Sequence, residues 1–500
     1  MWLFLVLLAP ALGLHLNKEP PPPTPLHRSN VETRWLDVRV NHFDATNTDT
    51  FPMRFFYNSR QTSERNIVIF VGGEWEITEG WVTDGLAYDI AGFTGAGLFY
   101  TEHRYYGLTR PTNGTSVSEL RFLTVDQALA DLAQFITYVK SNDFEDGRYR
   151  NAKVLLVGCS YAGSMATWMR VQYPHLVDGA FSDSGPLHAQ HDFPEYLTVV
   201  GQAIASQGGS ACYNSVAQAT AAVAQLLTST AGRAQVSQAF NTCTPLTASA
   251  LDLATFSWSG LTLTLGLVYA FAALAQYAAP GDIQEACTQL TSPDISDPVE
   301  RLAQWTLQQF PGESCIETRF SELIQIYSNT SFDSPIATGR AWLYQTCVEY
   351  GWYQSTAGES QPFGSGVPVE YFQQMCTDFF SSFFDANRTQ YGISRTNLFF
   401  GGLTQLPDRV ITVQGQFDPW HPMGPGAEHA RPTAPVHFVP EISHCRIIYS
   451  LNNSETESVR EVKLHVINFM NEIVHGVMDA GAERAALSLV LLLGVALSLL

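Results

Sequence analysis

The sequence predicts an α/β protein: a parallel sheet covered by helices on both faces, interrupted by a long helical insert tied by disulfides. Three observations predict it. Short β-branched apolar runs alternate with segments of helical periodicity up to about residue 188. Residues 195–390 lose that alternation, become rich in Ala, Gln, Ser and Thr, and hold Cys212, Cys243, Cys287, Cys315, Cys347 and Cys376. Strand and helix signals then return from about residue 396.

Taken in order, residues 2–13 form an apolar run ending in small residues, which reads as a signal peptide over 1–14. Pro20 to Pro23 follow as an extended, exposed stretch. Asn66–Val71 is an apolar, β-branched strand closing on Gly72 and Gly73, and Gly97–Thr101 is a second strand leading into Glu102-His-Arg-Tyr-Tyr-Gly107. Val125–Val139 carries apolar residues at helical spacing. Val154 begins a strand that runs to Ser160, a helix follows to about Tyr173, and Gly179–Asp183 is the next strand. The first part of the sheet domain thus spans 15–188, the insert 189–395 and the second part 396–475. That second part has strands at Arg409–Val413 and Val436–Val439 and a helix over Glu455–Val474. The tail, 476–500, is apolar from Ala485 onward and follows small residues at Asp479-Ala-Gly-Ala482. It reads as a signal for lipid anchoring; a plain membrane anchor and an apolar helix packed on the domain are the alternatives.

Bulk composition excludes some functions. Lys plus Arg number 27 against 47 Asp plus Glu, a net charge of −20, so the basic footprint of a nucleic-acid binder is missing. There is no His-Glu-x-x-His or paired-cysteine spacing for a metal and no phosphate-binding glycine loop, so neither metal nor cofactor is expected. The even cysteine count and the sequons at Asn113, Asn329, Asn387 and Asn452 fit a secreted chain, although a count does not give connectivity.

Val154-Leu-Leu-Val-Gly-Cys-Ser-Tyr-Ala-Gly163 is the segment that carries chemistry. A strand feeding a sharp turn at Ser160, flanked by small residues and followed by a helix, outlines a nucleophile elbow. Ala162 stands where the second glycine of G-x-S-x-G belongs, and Gly163 comes one place later. A serine preceding a helix is also an ordinary cap, so partners decide the matter. In an α/β-hydrolase the order is Ser, then Asp or Glu, then His, each beyond a strand end. Asp418 lies in Gly415-Gln-Phe-Asp-Pro after the Arg409 strand, and His444 lies beyond the Val436 strand. His421 is too close to Asp418 in sequence, and His437 falls inside a strand. His444 would accept the proton of the Ser160 hydroxyl, and Asp418 would orient the imidazole. Backbone N–H groups of Tyr161 and of the Gly72-Gly73-Glu74 loop, Gly73 in particular, would form the oxyanion hole.

Gly72-Gly-Glu74, Glu102-His-Arg-Tyr-Tyr-Gly107, Gly158-Cys-Ser-Tyr-Ala-Gly163, Trp342-Leu-Tyr-Gln-Thr-Cys-Val-Glu-Tyr-Gly351, Asp418-Pro-Trp420 and Ser443-His-Cys445 together resemble the prolyl carboxypeptidase and dipeptidyl peptidase II family of serine exopeptidases, most of all its thymus-specific serine protease branch. The resemblance runs from about residue 35 to 475. It implies an α/β-hydrolase core with an inserted helical, disulfide-linked cap domain, and cleavage of peptides beside proline. It implies residence in the secretory pathway: extracellular, at the cell surface or in lysosomes and vesicles. It also implies the pairs Cys212–Cys287, Cys243–Cys315 and Cys347–Cys376, leaving Cys159 and Cys445 as thiols or as a pair. Within the matching motifs Glu74, Trp342 and Trp420 are the expected substrate-binding residues. Three positions depart from the family pattern. Trp75 follows Gly-Gly-Glu where relatives often carry Gly. Leu343 replaces an Asp suited to gripping a free α-amine, which speaks against release of Xaa-Pro dipeptides. Arg446 follows His444-Cys445, either as a cation for a substrate carboxylate or as a surface arginine.

The expected function is therefore a serine exopeptidase acting on peptide substrates, with an esterase using the same triad, or a non-catalytic adhesion or binding protein on a hydrolase scaffold, as alternatives. Membrane attachment through the tail and homodimer formation both stay open.

Overall fold

The computed structural model describes residues 19–24, 30–59, 65–258, 266–309, 314–404 and 406–476. The expected signal peptide and the tail beyond Gly476 lie outside the described residues. Two compact units make up the chain. A helical one comprises Asp192–Arg340 and Trp352–Ala386; the other, which carries the sheet, is built from stretches within Lys18–His191, Ala341–Gly351 and Asn387–Leu500.

The strands are β1 (Val31–Arg39), β2 (Thr50–Asn58), β3 (Asn66–Val71), β4 (Ala96–Thr101), β5 (Val154–Cys159), β6 (Gly179–Asp183), the short β7 (Gln190–Asp192) and β8 (Gly351–Tyr353), β9 (Val410–Gly415) and β10 (Val436–Val439). Eight of them form one sheet in the order β1-β2-β4-β3-β5-β6-β9-β10. From β4 to β10 the pairing is parallel, while β1, β2 and β4 pair antiparallel. The mixed sheet differs from the all-parallel expectation because β1 and β2 have no helix between them to announce a crossover. Strand β5, Val-Leu-Leu-Val-Gly-Cys, is buried along its whole length between β3 and β6, which explains its continuous rather than alternating apolar run.

Four helices accompany the first part of the sheet: α1 (Leu86–Thr94), α2 (Val117–Leu120), α3 (Val125–Val139) and α4 (Tyr161–Gln172). Helix α3 starts where Thr124 caps it, its side chain accepting from the N–H of Gln127. Its apolar stripe, Leu129, Leu132, Phe135, Ile136 and Val139, is buried. Helix Glu457–His475 supplies Val466, Ile467, Met470 and Ile473 to the core. Register puts the functional ends together: Cys159 on β5 pairs with Asp183 on β6, and Asp183 pairs with Val413 on β9. The chain therefore leaves three neighbouring strands on one edge of the sheet, the carboxyl edge where α/β proteins build sites.

The helical unit begins with Glu195–Leu227, broken at Gly209 (φ 77°), followed by Thr230–Ala239, Ala250–Trp258, Leu267–Tyr277, Asp282–Leu290, Pro298–Gln308 and further helices. Disulfides Cys212–Cys287 and Cys243–Cys315 lie inside it, and Cys347 and Cys376 are also disulfide-bonded. The unit bounds differ from the expected insert of 189–395: residues 189–191, Ala341–Gly351 and 387–395 go with the sheet-bearing unit. A short return of chain carries no strand or helix alternation of its own, so periodicity could not separate it from its helical neighbours.

Candidate active site

Ser160 sits between β5 and α4 with φ 57° and ψ −134°, a conformation an L-residue adopts only under constraint. Its N–H donates to Asp183 O at 2.9 Å. The residues on either side, Cys159 and Tyr161, are fully buried, whereas Ser160 keeps partial exposure. Small residues make the turn possible. A Cβ on Gly158 would fall 2.2 Å from Ala162 O, and one on Gly163 would fall 2.9 Å from Ser182 Oγ and 3.1 Å from Asp183 O. The displaced glycine of the motif thus serves the approach of α4 to β6, and the alanine before it is fully buried.

Asp418 follows β9, and His444 follows β10. His444 Nδ1 lies 2.7 Å from Asp418 Oδ1, and the same oxygen accepts the N–H of Trp420 at 2.9 Å. Asp418 is wholly buried and His444 nearly so. A covalent link then brings the serine turn and the histidine loop together: Cys159 and Cys445, the neighbours of Ser160 and His444, form a disulfide with Cα atoms 5.7 Å apart. The second of the two options left open for these cysteines is the one realised. Strand end β6 completes the fastening. Ser184 Oγ accepts the N–H of Cys445 at 2.9 Å, and Asp183 Oδ2 accepts those of Ile447 and Ile448 at 2.8 and 3.1 Å. The rival histidines have other partners than the Asp418 carboxylate. His421 turns its Nδ1 to the backbone oxygen of Asp418, and His437 packs against His465.

Tyr161 is the first residue of α4, so its N–H is one of those that no carbonyl within the helix can accept. Gly73 leaves β3 beside the buried ring of Trp75. Glu74 is buried and burial pushes its carboxyl up to about 7, against the attraction of His444; its Oε2 has no hydrogen-bond partner among the described residues. Burial likewise lifts Asp183 to about 7, although it accepts the N–H of Ile447 and feels His444. Trp420 lies 6.5 Å from the His444 ring, and Trp342 lies 5.6 Å from Tyr161. Leu343 is buried, and Arg446 stacks over Tyr449 at 5.1 Å. The asparagines of all four sequons, Asn113, Asn329, Asn387 and Asn452, are exposed.

Several contributors escaped the sequence reading. Every side chain of Glu102-His-Arg-Tyr-Tyr106 is engaged. Glu102 pairs with Arg54; Arg104 is forked onto Asp131 at 2.6 and 2.7 Å; Tyr105 donates to Glu119 O; Tyr106 donates to Gln345; and His103 meets the Tyr161 hydroxyl. A dense run of polar and aromatic residues directly after a buried strand was the available signal. Asp183, at the end of a strand already recognised, was the other.

A serine on a constrained strand-to-helix turn, with an acid–imidazole pair fastened beside it at the carboxyl edge of the sheet, places this chain among the α/β-hydrolases. Within that class the chain belongs to the serine carboxypeptidase S28 family, whose sequence model matches residues 38–466, and it is a serine peptidase. It is 29% identical to the putative serine protease K12H4.7 of Caenorhabditis elegans, over 92% of each chain. It is 30% identical to the thymus-specific serine protease of Homo sapiens over 77% of this chain and 76% of that one, and 25% identical to the human lysosomal Pro-X carboxypeptidase over 82% of each.

Proposed function

We propose that this peptidase is an exopeptidase of the secretory pathway that cleaves peptides beside proline through an acyl-enzyme on Ser160. The observation that carries the reading is the 2.7 Å His444–Asp418 pair, tied to the serine turn by the Cys159–Cys445 disulfide. In this reading His444 Nε2 takes the proton from the Ser160 hydroxyl as it attacks the scissile carbonyl and returns it to the leaving amine. Asp418 holds Nδ1–H and stabilises the imidazolium. The N–H groups of Tyr161 and Gly73 receive the oxyanion, and water activated by His444 then releases the acyl group. Trp342, beside Tyr161, and Trp420, beside His444, would supply flat apolar faces suited to a proline ring, and Glu74 a polar group. Relatives named for lysosomal Pro-X carboxypeptidase activity support the substrate class and a lysosomal or secretory setting. Cysteines all in disulfides and exposed sequons support the same setting. Leu343 favours release of a C-terminal residue over dipeptide release.

A fluorophosphonate probe tests the core of this: it labels the wild-type protein and not Ser160→Ala, whose kcat falls by about 10⁴ or more. Labelling that survives Ser160→Ala removes the reading. With N-blocked and free Pro-Xaa and Xaa-Pro peptides, release of Xaa from the blocked Pro-Xaa peptide is expected; turnover that requires a free N-terminus contradicts the carboxypeptidase mode.

A further inference from the structure

Tyr161 is held at its backbone by the elbow and at its phenol by a buried polar cluster drawn from three separate parts of the chain. His103 Nδ1 lies 2.7 Å from Arg104 O, and its Nε2 lies 3.1 Å from the Tyr161 hydroxyl. Gln345 Nε2 lies 3.0 Å from that same hydroxyl, and Gln345 Oε1 lies 2.6 Å from the Tyr106 hydroxyl. His103, Tyr106, Tyr161 and Gln345 are all buried.

Proton counting gives this cluster one direction. Arg104 O can only accept, so His103 Nδ1 carries a hydrogen. Burial pushes the imidazole down to about 4, so it is neutral at ordinary pH and Nε2 is a bare acceptor. The Tyr161 hydroxyl must therefore donate to it. With its single proton committed, Tyr161 can only accept from Gln345, which fixes the amide with its NH₂ toward Tyr161 and its oxygen toward Tyr106, whose hydroxyl donates. The order runs Tyr106, Gln345, Tyr161, His103, Arg104 O, with each hydrogen assigned by the group after it.

We infer that Gln345 is a positioning residue for the oxyanion donor: as the middle link of this one-way chain it fixes the phenol of Tyr161, and through it the N–H that follows Ser160. The inference rests on the reading of Ser160 and Tyr161 given above. The segment that carries Gln345 is itself anchored. Glu349 accepts the N–H of Val125 at 3.1 and 3.2 Å where α3 begins, the Thr389 hydroxyl donates to Cys347 O, and the Thr396 hydroxyl donates to Glu349 O. The Tyr161 ring is clamped by Trp342, Tyr350 and Trp168 at 5.6, 5.7 and 6.5 Å. A displaced phenol would swing the first turn of α4, and small misplacements of a transition-state donor are costly.

Gln345→Glu tests direction as well as presence. While protonated, the new carboxyl offers one donor and one acceptor, as the amide does. Ionised, it can only accept, so Tyr161 must turn its proton away from His103. The titratable groups around the position are Tyr106, Tyr161, Tyr350, His103, Glu349 and Glu74, with Arg104 and Asp131, already paired with each other, acting on His103. Expected is a kcat close to wild type at acid pH that falls about tenfold as the carboxyl ionises, with KM unchanged, while Gln345→Met loses about tenfold in kcat at every pH. Wild-type kcat in Gln345→Met, or a change confined to KM in both variants, overturns the inference. Should neither variant fold, Tyr106→Phe removes only the terminal donor; a two- to threefold fall in kcat (about that size for one strained neutral hydrogen bond) is expected, and an unchanged kcat overturns it. Fluorophosphonate labelling of the wild-type protein separates the two readings: without labelling the serine mechanism falls, whereas labelling combined with unaffected variants removes Gln345 alone.

Discussion

In the sheet-bearing unit, charge is buried and paired; in the helical unit, distant helices are joined by disulfides. Arg104, wholly buried, forks onto Asp131 and gives its remaining donors to Arg39 O, Val40 O and Phe122 O at 3.0 to 3.1 Å, while Asp131 also meets His42 at 2.7 Å. One side chain thus ties the loop after β4 to the end of β1 and to α3. Among the described residues the helical unit contributes no strand to the eight-stranded sheet. Its ties include Cys212–Cys287 and Cys243–Cys315, spanning 75 and 72 residues of sequence. The difference teaches where the fold of each unit is vulnerable: the first, whose Cys159–Cys445 bond fastens the candidate site, to loss of one ionic partner as well, and the second to reduction of the bonds between its helices.

The largest effect expected from breaking this contrast is in the sheet unit. Arg104→Met leaves Asp131 charged and buried and should cost about 3–5 kcal/mol, read as a lower unfolding midpoint or loss of soluble protein. Asp131→Asn keeps the shape but replaces an accepting oxygen by an NH₂ that cannot accept from Arg104 or His42, and it leaves the buried guanidinium without a counter-charge, so its cost should be of the same order. An Arg104→Met protein as stable as wild type would show that the buried network is dispensable.

Next comes the helical unit. Replacing Cys243 and Cys315 by Ala should cost about 2–4 kcal/mol, with the rise in amide exchange concentrated in 230–327 and the sheet strands still protected. Exchange that rises equally in β3, β5 and β6 would mean that the two units do not unfold separately.

The smallest effect is a dependence on pH that belongs to the sheet unit. Burial raises Glu19, Glu74 and Asp183 to about 7 and Glu349 to about 8, all within that unit. Each carboxyl binds its proton more tightly folded than unfolded. The stability this contributes is full below the ordinary carboxylate range and is lost as pH rises through 7 to 8. Unfolding should therefore occur at a higher temperature at pH 5 than at pH 8, by several degrees, and Glu349→Gln should shrink the difference. A flat profile between those values would contradict the buried-acid account.

Legibility followed the same division. Strands β3, β6 and β10 and helix α3 agree with the sequence reading to the residue, because buried parallel strands and amphipathic helices carry strong local patterns. Strands β1 and β2 were missed: β2 holds Pro52 and reads Phe-Pro-Met-Arg-Phe-Phe, which is neither alternating nor uniformly apolar. At the candidate site, Ser160, Asp418 and His444 were proposed from strand ends and order, and the structure brings His444 Nδ1 to Asp418 Oδ1. Gln345 and His103 were visible only as letters in motifs, since their partners lie 184 and 58 residues away in sequence.

By itself, the sequence determined the strand–helix alternation from β3 to β6, the serine turn and the residues that follow the late strands, since each is set by local periodicity, glycine placement and chain order. Tertiary structure alone decided which distant groups meet. It chose the pairing of Cys159 with Cys445, the assignment of 341–351 to the sheet-bearing unit and the direction of the hydrogen bonds through Tyr161. Long-range contacts of that kind depend on register and packing between segments hundreds of residues apart, and a one-dimensional pattern carries no record of them.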